Sequence, residues 1–203
     1  MIPVVADADT LFGATTRGLL IHLDYRGLIR LHWSALIPDE MSRALVNTGR
    51  KPDRAAATKH EAVMRAGAAA GRGADQGRAS TIRSARPGDA IRQSIHVAAC
   101  ALVLQARQCY PNTPVVSLVT KNVRDFGVRK LATQGIDVER PDVFLLKLIT
   151  GNETGVAGAF AALRSTLRSA PTPEQLLEKL AADGQTETAN ALLALRQEGK
   201  AAL

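Results

Sequence analysis

No stretch limits the possible folds of this chain more than Val4-Val5-Ala6-Asp7-Ala8-Asp9-Thr10-Leu11-Phe12. Its apolar start shows no alternation, so it reads as a parallel strand buried on both faces. Two carboxylates, Asp7 and Asp9, follow at the C-terminal end of that strand. In open α/β sheets this edge is where ligands bind. Two carboxylates there suit a hard cation and, through it, a phosphate. Asp also caps helices routinely, so Asp7 is equally readable as the cap of whatever follows.

The 203 residues suit one domain of ordinary size, or one domain with a small extension. Hydrophobic residues make up 46% and aromatics 3%. The core is therefore built from Ala, Leu, Val and Ile, and base-stacking platforms for single strands are disfavoured. A net charge of +7 and a pI near 9.9 favour a polyanionic partner. Much of the charge lies in 50–86, where nine Lys/Arg stand against three acids. Cys100 and Cys109 fall nine apart in one helical pattern, too far for a disulfide and wrongly spaced for zinc. Both read as small core residues of a protein in a reducing cytoplasm. No run approaches the roughly 20 apolar residues of a membrane span, and no signal-peptide pattern opens the chain.

After the first strand, Thr15 and Thr16 offer caps to a helix that ends at Gly27. Leu28–His32 reads as a second strand with Trp33 as a core anchor at its end. Ser34 is the expected cap of a helix over Ala35–Asn47, with Leu36, Ile37, Met41 and Leu45 as its apolar stripe and Glu40 on another flank. Strand, helix, strand, helix is the opening of a parallel α/β sheet. Residues 48–88 are rich in Ala, Gly and Arg; a helix over 55–70 and mobility around 70–86 are expected there. A long helix over 90–108 follows, with Ile91, Ile95, Ala98, Ala99 and Leu102 as its core face. Val115–Thr120 is a second central strand, 130–134 a short helix and Ile136–Val138 an outer strand. Helices then occupy the rest: one begun by Asp142, one over 157–167, one opened by Thr172-Pro173 and closed by Gly184, and one over 186–197.

Polar residues thus gather at several rims: Asp7 and Asp9, Glu40, Asn122 and Asp125, and Asp89 at the start of the long helix. Carboxylates that converge from separate elements repel unless a cation neutralises them. Mg²⁺ or Mn²⁺, held by few carboxylates and several waters, fits phosphodiester hydrolysis. Each residue also has an ordinary reading. Glu40 suits a solvated helix, Asp89 a helix N-terminus, Asp125 a turn and His96 a hydrogen-bonded core position. The basic stretch suits RNA phosphates as well as it suits a solvated insertion.

Three segments resemble PIN domains. Val4–Phe12 is similar to the family's opening motif, and Trp33-Ser34 with Ile37-Pro38-Asp39-Glu40 to its Glu-bearing helix. Val119-Thr120-Lys121-Asn122-Val123-Arg124-Asp125-Phe126 is similar to its "V-T-x-N-x-x-D-F" segment. Pro141–Leu146 and the helical tail resemble the C-terminal part of a toxin-like subfamily related to VapC ribonucleases. The resemblance implies a three-layer α/β PIN-like domain with a central parallel sheet over 1–148, interrupted by the basic insertion 48–88, and a helical C-terminal extension over 149–203. It implies a Mg²⁺- or Mn²⁺-dependent ribonuclease, the toxin of a toxin–antitoxin pair, with RNA and a cognate antitoxin as partners and a homodimer among the assemblies such proteins form. Asp7, Glu40 and Asp125 would be metal ligands, with Asp89 a further candidate. Asn122 would join them in catalysis, while Asp9, Thr120, Ser94 and His96 support the site. Arg50, Lys51, Arg83, Arg86, Lys121 and Arg124 would meet RNA. One departure stands out: the subfamily carries an Asp two residues before the His-Val pair of the long helix, and here that position is Ser94. A missing acid motivates the alternative of a catalytically impaired PIN domain that binds RNA or protein. A subunit whose helical tail docks a partner is a third reading.

Overall fold

A computed structural model describes residues 1–34, 36–58 and 91–203, with the side chains of 91–93 left aside. The expected helix over 55–70 beyond residue 58, the mobility around 70–86, and Asp89, Arg83 and Arg86 lie outside the described residues. Four parallel strands form the sheet in the order β2-β1-β3-β4: β1 Ile2–Ala6, β2 Ile29–His32, β3 Val116–Val119 and β4 Ile136–Glu139. The two runs without alternation, β1 and β3, take the centre and pair Val4 with Ser117 and Ala6 with Val119. The edge strand β2 alternates buried and half-buried residues, as one covered face requires. From β1 the chain leaves towards β2, and from β3 it leaves towards β4. The crevice between the C-terminal ends of β1 and β3 is therefore the topological switch point of the sheet.

Two short helices follow β1: α1, Ala8–Phe12, and α2, Ala14–Tyr25. Asp7 caps α1, accepting from the Thr10 amide, while its own amide extends the β1–β3 ladder to the Val119 carbonyl. Thr15 and Thr16 are not caps, since both lie inside the first turn of α2. Their amides donate instead to one carboxylate oxygen of Asp183, at 2.8 and 2.9 Å. That approach needs a bare backbone at Gly13, where a Cβ would sit 2.8 Å from the Asp183 carboxyl carbon. Helix α3, Ile37–Asn47, starts later than expected, and its N-cap residue is Leu36, which gives no side-chain cap bond. Ser34 is committed elsewhere, and Leu36 is exposed while Ile37, Met41 and Leu45 are buried.

Helix α4, Ile91–Ala106, buries His96, Val97, Cys100, Ala101 and Leu104, and leaves Ile95 exposed. The expected face was wrong because the helix is apolar nearly all round, so periodicity did not single out one side. Cys109 lies beyond the helix and is exposed, whereas Cys100 is buried and its thiol is pushed up to about 11 by desolvation. A 3₁₀ turn, Val123–Asp125, and α5, Val128–Ala132, lead into β4.

The remaining helices are α6 Pro141–Gly151, α7 Glu153–Thr166, α8 Pro173–Ala182 and α9 Thr186–Gln197. Thr172 and Gln175 form a reciprocal capping box on α8, with Pro173 in its first turn. Gly184, at φ +96°, ends it as expected. Asp142 lies inside α6 and caps a different helix: it accepts from the amides of Glu187 and Thr188 and from the Thr188 hydroxyl. Helix α7 lies on α2 so closely that a Cβ at Gly18 would be 2.6 Å from a Leu163 methyl. One hydrophobic cluster runs from Val4, Val5 and Leu118 through Leu19 and Leu23 to Phe160, Leu180 and Leu192. Each large side chain fully buried there contributes about 1.5–3 kcal/mol. No described helix is long and apolar enough to cross a membrane.

Candidate active site

A cleft of about 90 Å³ opens at the switch point, and Asp7, Asp9, Glu40, Ser94, Asn122 and Asp125 line it together with Phe12 and Phe126. Residues 118 positions apart in the chain meet here because β1 and β3 are neighbours, and α3 and α4 lie over their ends. Asp7 is buried, with Oδ1 taking the Thr10 amide at 2.8 Å and Oδ2 the Thr120 hydroxyl at 2.5 Å. Burial raises its pKa, the Thr120 and Thr10 hydrogen bonds oppose the shift, and neighbouring Asp9 adds to it. The two readings of Asp7 therefore coincide: it caps α1 and faces the cleft. Thr120 also accepts from the Asn122 amide at 3.0 Å, and the Asn122 side chain donates to Asp9 at 2.8 Å. A tight turn after β3 thus fixes both carboxylates that follow β1.

Glu40 is held from the other side. Its Oε1 lies 2.9 Å from His96 Nε2, and His96 Nδ1 lies 2.6 Å from the Ser34 hydroxyl. A carboxylate only accepts, so Nε2 carries the proton that it shares with Glu40. In the neutral ring Nδ1 then accepts from Ser34. Ser34 and His96 are both buried. The sequence pointed to His96 but mistook Ser34 for a cap. Asp125 is exposed on the 3₁₀ turn, and its side chain makes no hydrogen bond among the described residues. Ser94 stands at the cleft wall, where the PIN pattern carries an Asp.

The basic residues separate. Arg50 stacks over the Phe12 ring, 4.3 Å from its centroid, and donates to the Phe12 carbonyl, so it stands at the cleft edge. Lys121 donates to the main-chain oxygen of Asp183 at 2.8 Å, tying the turn after β3 to the end of α8. Arg124 is exposed and Lys51 half-buried. Sequence reasoning missed Arg17, a buried guanidinium that donates to the Leu11 carbonyl and to Met41 Sδ. Burial lowers its pKa, and Asp183 opposes that shift. No local signal marked Asp183, because its partners lie at the other end of the chain.

Hard oxygen donors around one cleft suit Mg²⁺ or Mn²⁺. Among the described residues no three acids, histidines or cysteines stand close enough to enclose an ion by themselves. The donor set therefore fits an ion of the Mg²⁺ habit, bound through one or two carboxylates with waters and phosphate oxygens completing its shell.

No curated protein and no solved structure matches the chain. Residues 141–194, from α6 into α9, match the family model described as the VapC50 C-terminal domain. That match suggests, at family level, a VapC-like protein of a toxin–antitoxin system. The match covers the C-terminal helices alone; these resemble the C-terminal domain of a VapC-like family, and the α/β fold with a parallel sheet before them is consistent with a PIN-like domain.

Proposed function

We propose that this protein is a metal-dependent endoribonuclease that hydrolyses RNA phosphodiester bonds, acting as the toxin of a VapBC-type pair. The observation that carries the reading is the meeting of Asp7, Glu40 and Asp125, from three separate elements, in one cleft at the switch point. Of Asp7, Glu40 and Asp125, one or two would hold Mg²⁺ or Mn²⁺ directly and the remainder through its bound waters. Such an ion, when bound, supplies a more acidic water and a positive charge for the leaving oxygen. The chain's own residues do the rest. Thr10 and Thr120 fix both oxygens of Asp7, so its direction into the cleft does not depend on a ligand. His96, steadied by Ser34, presents Glu40. Asn122, turned by Asp9, keeps its carbonyl oxygen for a water or a substrate hydroxyl. Arg50 and Arg124 flank the cleft with charge for the RNA backbone, in keeping with the net charge of +7.

Calorimetric titration with Mn²⁺ or Mg²⁺, wild type against Asp7→Asn, tests this alongside an RNA cleavage assay on the same samples. Saturable binding and cleavage, both lost in the variant, are expected. Absence of both in the wild type would sink the reading. Ser94 favours a second reading, a PIN domain that binds RNA but does not cut it. That outcome would be RNA binding that survives chelation, with no cleavage under either ion.

A further inference from the structure

A second cavity, of about 420 Å³, is lined by Lys121 from the turn after β3 and by Arg140, Pro141, Asp142, Gly184 and Gln185. Its two cations differ in employment. Lys121 is shared with the Asp183 carbonyl. Arg140 is exposed and has no side-chain partner among the described residues. Asp142 does not cancel them, because the first turn of α9 already donates to both of its oxygens. Arg140 is also the N-cap residue of α6 and gives no side-chain bond to that helix; since Pro141 has no N–H, the donors left in its first turn are the amides of Asp142 and Val143. An anion is what these groups share. Gln185 adds a separate requirement. It is 1% exposed, its amide nitrogen donates to the Asp183 carbonyl at 3.2 Å, and its Oε1 is buried with no donor. A buried acceptor left unmatched is costly, so the occupant of this cavity should bring a hydroxyl or N–H as well as negative charge.

We infer that this cavity is a second nucleotide subsite, in which Lys121, Arg140 and the first turn of α6 hold a backbone phosphate and Gln185 accepts from the ribose 2′-hydroxyl. The assignment rests on the ribonuclease reading and extends it. Lys121 and Asn122 are consecutive, so the two cavities share the turn after β3. An RNA strand with one phosphate beside Asn122 in the first cleft would have Lys121, one residue away, for its neighbouring nucleotide. The C-terminal helices, through Gln185, then help to tell RNA from DNA, since the 2′-hydroxyl is the group that differs.

The test uses the full chain in an Asp7→Asn background, where binding is read without turnover. Fluorescence anisotropy follows a short RNA and its all-deoxy counterpart over a range of salt. Arg140→Ala is expected to weaken RNA binding about tenfold and to flatten the salt slope by about 0.7, the share of one single-strand phosphate. Arg140→Lys should restore that slope. Gln185→Met should narrow the preference for RNA over DNA while leaving DNA affinity unchanged. Because Arg140 is exposed, its variants test the phosphate contact even if the buried Gln185 substitution impairs folding. If wild type cleaves RNA but Arg140→Ala and Gln185→Met keep its affinity, slope and sugar preference, the subsite is overturned and the ribonuclease reading stands. If Gln185→Met loses RNA and DNA equally, the 2′-hydroxyl assignment is overturned. If wild type neither binds nor cleaves RNA, both readings fall together.

Discussion

The carboxylates of the cleft and those of the C-terminal helices are the same chemical group put to opposite use. Asp142 and Asp183 each face the first turn of another helix, where two amides donate to one carboxylate and the helix dipole favours its charge. Their charge is matched inside the protein. In the cleft the donors are few and mostly neutral: a threonine hydroxyl and an amide for Asp7, one carboxamide for Asp9, one imidazole for Glu40. These acids are oriented but not neutralised. Acids so oriented and so little compensated are what the proposed cation would complete.

The sharpest way to break this contrast is at Asp7. Asp7→Asn should cut RNA cleavage by more than about 100-fold, beyond what residues behind a metal site usually cost. The thermal midpoint should hold or rise, because a buried, poorly neutralised charge is gone. A protein that unfolds instead would put Asp7 with the structural acids. Next comes His96→Ala, which should lower cleavage about 10–100-fold by freeing Glu40. His96→Gln, whose amide still donates, should recover part of that loss; equal loss in both would make His96 a packing residue. On the other side of the contrast, Asp183→Ala should lower stability by about 1–2 kcal/mol in urea melts, as lost caps do, without changing cleavage per folded molecule. The smallest effect is expected at the sheet edge. Burial raises the pKa of Glu139, and Lys147, 2.6 Å away, opposes that shift. In the wild type, ionising Glu139 therefore weakens the fold as pH rises through its raised pKa. Lys147→Met removes the opposing cation and should cost about 1 kcal/mol at neutral pH. That cost should fade on acidification as Glu139 takes up a proton, which melts across pH would follow.

Much of this arrangement was legible in short segments, because both central strands end in the residues that face the cleft. Val4–Asp7 and Val119–Phe126 each carry a buried run and its polar rim together, so strand and site were read at once. The cap and the cleft-facing residue proved to be one and the same at Asp7, since a carboxylate has an oxygen for each. Local reading failed where a side chain had a distant partner. Ser34 looked like a cap and serves His96, 62 residues on. Thr15 and Thr16 looked like caps and are themselves capped by Asp183. The buried side of α4 could not be read from periodicity, because Ile95 and Val97 are equally apolar and the sheet decides between them.

The bonds from Thr15 and Thr16 to Asp183 span 168 and 167 positions, and the bond from Thr120 to Asp7 spans 113. On the ribosome these are bonds between residues made early and residues made late. A nascent chain that has only just released β3 has α2 still uncapped, and the turn carrying Lys121 has nothing to hold. The cleft acids already have their partners Thr10, Thr120, Asn122 and His96 by then, while the cap of α2 and the anchor of Lys121 come only with the end of α8. A fragment cut short before Asp183 would keep the contacts of the cleft acids and lack the cap of α2 and the anchor of Lys121.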